Sequence, residues 1–370
     1  MSRRPSGIRE PKKRILFVVE GKTECNYLDG LKERDVNIEI VIIKSKRKSA
    51  PQIVKECAVN VKERHIDIPG GDVAYAVFDL DENSHEAFEK ACNIAAKNRI
   101  QIIISNPCFE TWLLLHFQHK RVPGVDKEWV ESSLTEYIKE YDKAEKYNNI
   151  LSPLRQTAVD NSKRIASDCH LREPMDFYKT NYSTNMHGLI EHINKEKTKE
   201  RMRQFYDGGM INNVDVGTTD GLVQIHRFLF KGLPFSGEIR NKNISIGGLR
   251  FTDASNLRDA LNNIDKMPES SCKEIIGKYI KMNIARPFIN DNGISIRIWL
   301  DLMLKRNLHK CVDWRRIDEH EYLAAIGNSA TDSTAIVKLL AESLTDNICD
   351  REIFMKGLER SYYEKPNGDV

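Results

Sequence analysis

Four short apolar runs punctuate the first third of the chain: "ILFVV" at 15–19, "IEIVII" at 38–43, "VAYAVF" at 73–78 and "IQIII" at 100–104. They are rich in β-branched residues, and an amphipathic stretch follows each. Near-continuous apolar runs alternating with helical stretches predict an α/β layer with a largely parallel sheet. After about Gln118 the runs stop, and "KEWVESSLTEYIKEYDKAEKY", residues 127–147, reads as helix from its period and charge pairing. A mostly helical extension follows, broken near Pro153 and Pro174. The highly charged "EHINKEKTKERMRQFYDGG" ends on Gly208 and Gly209 and marks the best boundary. Beyond it the pattern is helical with one Gly-rich interruption, "GEIRNKNISIGGLRF". The expectation is two domains, an α/β domain with a helical extension over 1–205 and a helical domain over 206–370.

Composition narrows the setting. At 370 residues the chain exceeds one comfortable core. No apolar run approaches the ~18 residues a membrane span needs, and the basic N-terminus lacks an apolar signal core. A cytoplasmic protein without membrane association is expected. Eight cysteines carry no CxxC spacing, which fits free thiols in a reducing compartment. Net charge is only +3, but cations concentrate at Arg3, Arg4, Arg9, Lys12, Lys13 and Arg14 in "MSRRPSGIREPKKR" and in "KSKRK", Lys44 to Lys48. Such clusters either neutralise phosphates or form solvated surface.

The ends of the predicted strands carry acids. Strand one delivers Glu20, then Gly21, with Glu24 one helical turn on; strand three delivers Asp79 and Asp81, two residues apart and pointing the same way if the strand runs through them. In open α/β sheets ligands bind beyond the carboxyl ends of parallel strands. Carboxylates converging there are costly unless a cation neutralises them, and hard oxygen ligands suit Mg²⁺ or Mn²⁺. The chemistry expected is metal-dependent phosphoryl transfer. Glu110, in "SNPCFETW" after strand four, either joins the acids or stabilises a helix N-terminus. Lys22 either contacts a phosphate or faces solvent; His85 and His116 read as structural, and Trp112 with Leu113 to Leu115 as core.

This layout resembles the Toprim domain. More closely, "RRPSGIREPKKRILFVVEGKTECNYLDGL", "VFDLDEN" and "ISNPCFETWLLLHF" look like the RloB-like family, a Toprim-type group associated with bacterial phage defence. The resemblance covers roughly residues 1–205. It implies a nuclease acting on DNA or tRNA, with an ATPase as partner protein. Glu20, Asp79 and Asp81 would be catalytic, and the metal ligands would come from Glu20, Glu24, Asp79, Asp81 and Glu110.

A second resemblance begins at "VDVGTTDGLVQIHRFLFKGLPFSGEIRNKNISIGGLRF" and runs through "NIARPFINDNGISIRIWLDLMLKRNL". These segments look like the Fic (Fido) family of AMP transferases, which implies an all-α domain with a β-hairpin flap. Its motif HPFx[DE]GNGRxxR places the nucleotide loop on Arg286, Asn290, Asn292, Gly293 and Arg297. The scaffold letters survive and the catalytic ones do not. Arg286 cannot act as the base that the family's histidine supplies. Asn290 replaces the metal-holding acid, Asp291 the phosphate-cupping glycine, and Ile294 the first arginine. The family's inhibitory glutamate falls on Lys365, with Glu364 one residue early. The resemblance thus implies a pseudoenzyme, with ATP or another nucleotide as a ligand left open. The leading expectation is a Toprim-type nuclease fused to a degenerate Fic module that binds a nucleotide or partner, or scaffolds. The rival is a Fic adenylyltransferase whose Toprim-like half recognises the target. Oligomeric state is left open.

Overall fold

The computed structural model describes residues 12–80, 83–120, 124–246 and 249–359. The chain divides into two compact units, Met1–Glu200 and Arg201–Val370.

The first unit opens with β1 (Lys13–Val19), α1 (Lys22–Asp29), β2 (Ile38–Lys44), α2 (Ala50–Glu63), β3 (Val73–Asp79), α3 (His85–Asn98), β4 (Gln101–Asn106) and α4 (Glu110–Leu114). The four apolar runs are these four strands. They pair in parallel, and a fifth strand, β5 (Ser183–Thr184), adds antiparallel to β4, giving the order β2-β1-β3-β4-β5. Along β1 the side chains alternate between two cores: Ile15, Phe17 and Val19 join Trp112 and Leu113 on one face, while Leu16 and Val18 join Val54 and Phe88 on the other. Burial on both faces is why these strands read as unbroken apolar runs. Because the chain leaves β1 for β2 on one side and crosses to β3 on the other, the topological switch point lies between β1 and β3.

Three sequence expectations change here. A strand does follow Gln118, since β5 comes late and has only two residues. β3 ends at Asp79 and does not run on toward Asp81, which lies outside the described residues. The stretch 127–147 is helical only over α5 (Lys127–Thr135). Beyond it the chain turns, with Glu140 at φ 56°, and Asn26 Nδ2 donates to the carbonyls of Ala144 (2.9 Å) and Glu145 (3.0 Å). Those carbonyls serve a tertiary contact in place of a helical ladder. α6 (Asn148–Leu151), α7 (Arg155–Asp168), α8 (Pro174–Lys179) and α9 (Met186–Asp207) follow.

The second unit is helical: α10 (Thr219–Leu229), α11 (Ala254–Asp265), α12 (Cys272–Ala285), α13 (Asn292–Leu308), α14 (Glu319–Asn328), α15 (Thr334–Glu342) and α16 (Arg351–Glu359). Two short antiparallel pairs accompany it, β6 (Ser245–Ile246) with β7 (Leu249–Arg250), and β8 (Cys311–Val312) with β9 (Leu344–Thr345). α13 is buried on every side from Asn292 to Leu304, so it forms the axis of the core with Trp299 and Met303 among its fully enclosed residues. The carboxyl group it buries is partnered inside: Asp301 accepts from Val312 N (3.0 Å) and Trp314 Nε1 (3.2 Å). All eight cysteines are free thiols. Among the described residues no helix is long and apolar enough to cross a membrane.

Candidate functional site

Glu20 leaves the carboxyl end of β1 and Asp79 closes β3, so the two flank the switch point. Glu20 Oε2 accepts from the Asp79 backbone N–H at 3.2 Å, and the Glu20 N–H donates to Val77 O at 3.1 Å. Glu24 folds back along α1, its Oε1 accepting from Gly21 N at 3.1 Å. A Cβ on residue 21 would stand 2.6 Å from Glu24 Oε2, so a larger residue there would push the Glu24 carboxylate out of this position. Burial first, and the charges of Glu110 and Glu20 after it, push the Glu24 carboxyl up to about 7.

Glu110 begins α4 and is 2 % exposed. Its Oε1 accepts from Tyr141 Oη at 2.8 Å and more weakly from Thr23 Oγ1 at 3.4 Å, with Lys143 Nζ at 3.5 Å. Burial, then Glu110, raises the Tyr141 phenol far above its ordinary range, so it stays protonated and donates. The Cys108 thiol is likewise raised, by burial and then by Glu110 and Asp79. Glu24 thus feels both Glu20 and Glu110, and Glu110 and Asp79 both act on Cys108, along one sheet edge. Among the described residues no three His, Cys, Asp or Glu side chains stand close enough to surround one ion.

Several residues here were not singled out by sequence reasoning. Tyr141 and Lys143 sit in the segment that reads as helix. Asn83 binds the Asp79 carbonyl through Nδ2 (2.9 Å) and accepts from Ala50 N through Oδ1 (2.9 Å), tying the end of β3 to the start of α2. Its only sequence signal was its place at the end of "VFDLDEN". His116 is structural as expected: buried, with burial pushing its imidazole down to about 3. Trp112 and Leu113 to Leu115 are core.

The loop between α12 and α13 is locked from inside. Arg286 and Asp291 both take left-handed backbone, φ 44° and 54°. Residue 291 therefore keeps a conformation natural to glycine, with aspartate among the side chains that tolerate it best. Asn292 is buried; its Oδ1 accepts from Phe288 N (2.9 Å) and its Nδ2 donates to Phe288 O (2.7 Å). The Arg286 guanidinium lies over the Phe251 ring, 4.8 Å from its centroid. Arg297 is 2 % exposed, its guanidinium over Trp314 (4.8 Å) and Tyr322 (4.5 Å). Gly293 and Ile294 are enclosed in the core, while Asn290 is half-buried. Glu364 and Lys365 lie outside the described residues.

Two further residues brace this loop. Arg240, 4 % exposed, donates from Nε to Arg286 O (2.8 Å), from Nη1 to Lys242 O (2.8 Å), and from Nη2 to Ala285 O (3.0 Å) and Thr252 O. His226 Nδ1 accepts from Gly237 N at 2.9 Å, which leaves Nε2–H to donate to Asn290 O at 3.2 Å. Its ring stacks on Phe288 at 3.8 Å, and burial holds its imidazole down at about 4, so it is neutral.

Residues 15–193 match the RloB-like protein family. Among solved structures, the chain is similar to the N-terminal Fic domain of a Bartonella effector protein from Bartonella sp. AR 15-3 (14% identity, 44% of this chain and 84% of that one, TM-score 0.38). It is also similar to the N-terminal Fic domain of a putative cell filamentation protein from Bartonella quintana with bound ADP (13%, 46% and 90%, TM-score 0.36). Fic-1 (aa134–508) from C. elegans matches at 14% identity over 86% of this chain and 88% of that one, with TM-score 0.34.

Proposed function

We propose that the first unit is a metal-dependent nuclease of the phage-defence type. What supports this is the linkage of acids along the switch-point edge: Glu20 is held against the Asp79 amide, and Glu24 is raised to about 7 by burial and then by Glu110 and Glu20. Carboxylates that raise one another suit a hard divalent cation, which would have to draw them closer together than they stand among the described residues. Glu20, Asp79 and Asp81 would hold Mg²⁺ or Mn²⁺, with Glu24 and Glu110 beside them; the cation would supply a Lewis acid for the phosphodiester and an activated water. Tyr141 and Lys143 hold Glu110 in place. Glu20 is held in place against the Asp79 amide. A partner ATPase fits the family match and belongs to the same proposal.

In the second unit we infer a Fic-type module without AMP transfer, which binds a nucleotide or partner or serves as scaffold. What supports it is Arg286 at the place of the base and Arg297 buried between aromatic rings, away from solvent and any phosphate held there. Purified chain incubated with plasmid, single-stranded DNA and total tRNA, with Mg²⁺, Mn²⁺ or EDTA, tests the nuclease. Cleavage that needs the cation is expected; metal-independent cleavage, or none on any substrate, rejects it.

A further inference from the structure

The cations Lys44, Lys46, Arg47 and Lys48 are exposed, and none is paired with a carboxylate among the described residues. They would pass for a solvated loop, but the segment is fastened at both ends to the acidic edge. Lys44 closes β2 opposite Val19, and Ser45 N donates to Val19 O at 2.8 Å, one residue before Glu20. Ser45 is buried; its Oγ donates to Glu56 at 2.6 Å and accepts from Arg47 N at 2.8 Å. At the far end, Ala50 N donates to Asn83 Oδ1 (2.9 Å), and Asn83 Nδ2 donates to Asp79 O (2.9 Å). The strap therefore runs from the end of β1 to the end of β3, the two strands that deliver Glu20 and Asp79.

We propose that Lys44–Lys48 is a phosphate-binding strap that holds the backbone of a nucleic acid across the acidic edge. It deepens the nuclease reading above and rests on it. Four like charges in a pinned loop repel one another, and consecutive backbone phosphates relieve that repulsion with release of counterions. The occupant is a polynucleotide. A flexible polyanion engages the strap and offers the acids a single phosphodiester, whereas a flat anionic membrane would press all its charge against them.

The test uses the full chain in EDTA, so that binding is read without cleavage, on labelled 30-nucleotide single-stranded DNA, a 30-base-pair duplex and total tRNA over a salt series. The variant carries Lys44→Ala, Lys46→Ala, Arg47→Ala and Lys48→Ala together. The control carries Lys62→Ala and Lys97→Ala, exposed residues in the last turns of α2 and α3, at the opposite edge of the sheet. Loss of four phosphate contacts should make the slope of log K against log salt shallower by about 3, with the control unchanged. Whichever probe binds most tightly names the strand type. An unchanged slope in the strap variant, an equal change in the control, or no wild-type binding to any probe overturns the proposal; so does strap-dependent binding to phosphatidylserine vesicles, assayed alongside, with no binding to any nucleic acid. Absent cleavage with an intact strap effect would reject the nuclease and leave the strap standing. Cleavage with no strap effect would do the reverse.

Discussion

The acidic edge of the first unit and the Arg286–Asp291 loop of the second lie at comparable places, where one element hands over to the next, yet they have been treated in opposite ways. At the edge, Glu24 stays raised beside Glu110 and Glu20, an arrangement that costs stability and that close packing would have removed. In the loop the side chains are packed or paired instead, although Arg286 and Asp291 keep left-handed backbone: Ile294 fills the core, Arg297 packs on two aromatic rings, and Asn292 closes the backbone on Phe288. Under the proposed function, this difference is what would separate a site kept for chemistry from one given over to structure.

The sharpest way to break this contrast is to substitute the edge. Glu20→Gln and Asp79→Asn should each lower metal-dependent cleavage by about 10³-fold or more while thermal unfolding stays within a few degrees. Wild-type cleavage in either variant would move the site elsewhere. In the loop the expectation is reversed, with structure lost and no activity to lose. Restoring the motif's arginine by Ile294→Arg places a charge where the side chain is 1 % exposed, and should destabilise the second unit by about 3 kcal/mol or more in urea unfolding. A stable Ile294→Arg variant that transfers AMP from labelled ATP would overturn the reading of a filled pocket.

Arg240→Lys should cost about 2–3 kcal/mol, because one ammonium cannot reach the carbonyls of Lys242, Thr252, Ala285 and Arg286 that the planar fork bridges. Faster amide exchange over residues 284–292 is the readout; unchanged exchange would mean that another contact holds the loop.

The smallest effect is in pH. His226 is depressed from 6.5 to about 4, so below 6.5 the unfolded state binds more protons than the folded one. Its contribution is complete above about pH 6.5 and fades as pH falls toward 4, amounting to about 2 kcal/mol lost at pH 5. His226→Phe should remove that part of the pH dependence, and a variant with the wild-type profile would assign it to another group.

How far the chain could be read from its letters follows from the range of the interactions. β1 to β4 were legible because burial on both faces writes an apolar run, and Glu20 and Asp79 because each ends such a run. β5 was not: its two residues, Ser183 and Thr184, carry no period and exist as strand only by pairing with β4. Tyr141 and Lys143 were hidden because local spacing favours helix, while the Asn26 contacts that override it come from over a hundred positions away. Arg240 was not singled out within "GEIRNKNISIGGLRF". Its burial is dictated by carbonyls that share no pattern in sequence.

β5 also sets a timetable for synthesis. Ser105 meets Thr184 across a separation of 79 residues, and Asn185 adds side-chain bonds to Ile104 N (2.8 Å) and Ile102 O (2.9 Å). At typical translation rates of about 5–20 residues per second, the flank of β4 waits roughly 4–16 s for its cover. During that interval "QIIISN" is an uncovered apolar strand edge, the kind of template on which nascent chains stick to one another. Chains cut short before Ser183 keep that edge for good, and their fate is set by chaperone capture or aggregation, not by the acids they already carry.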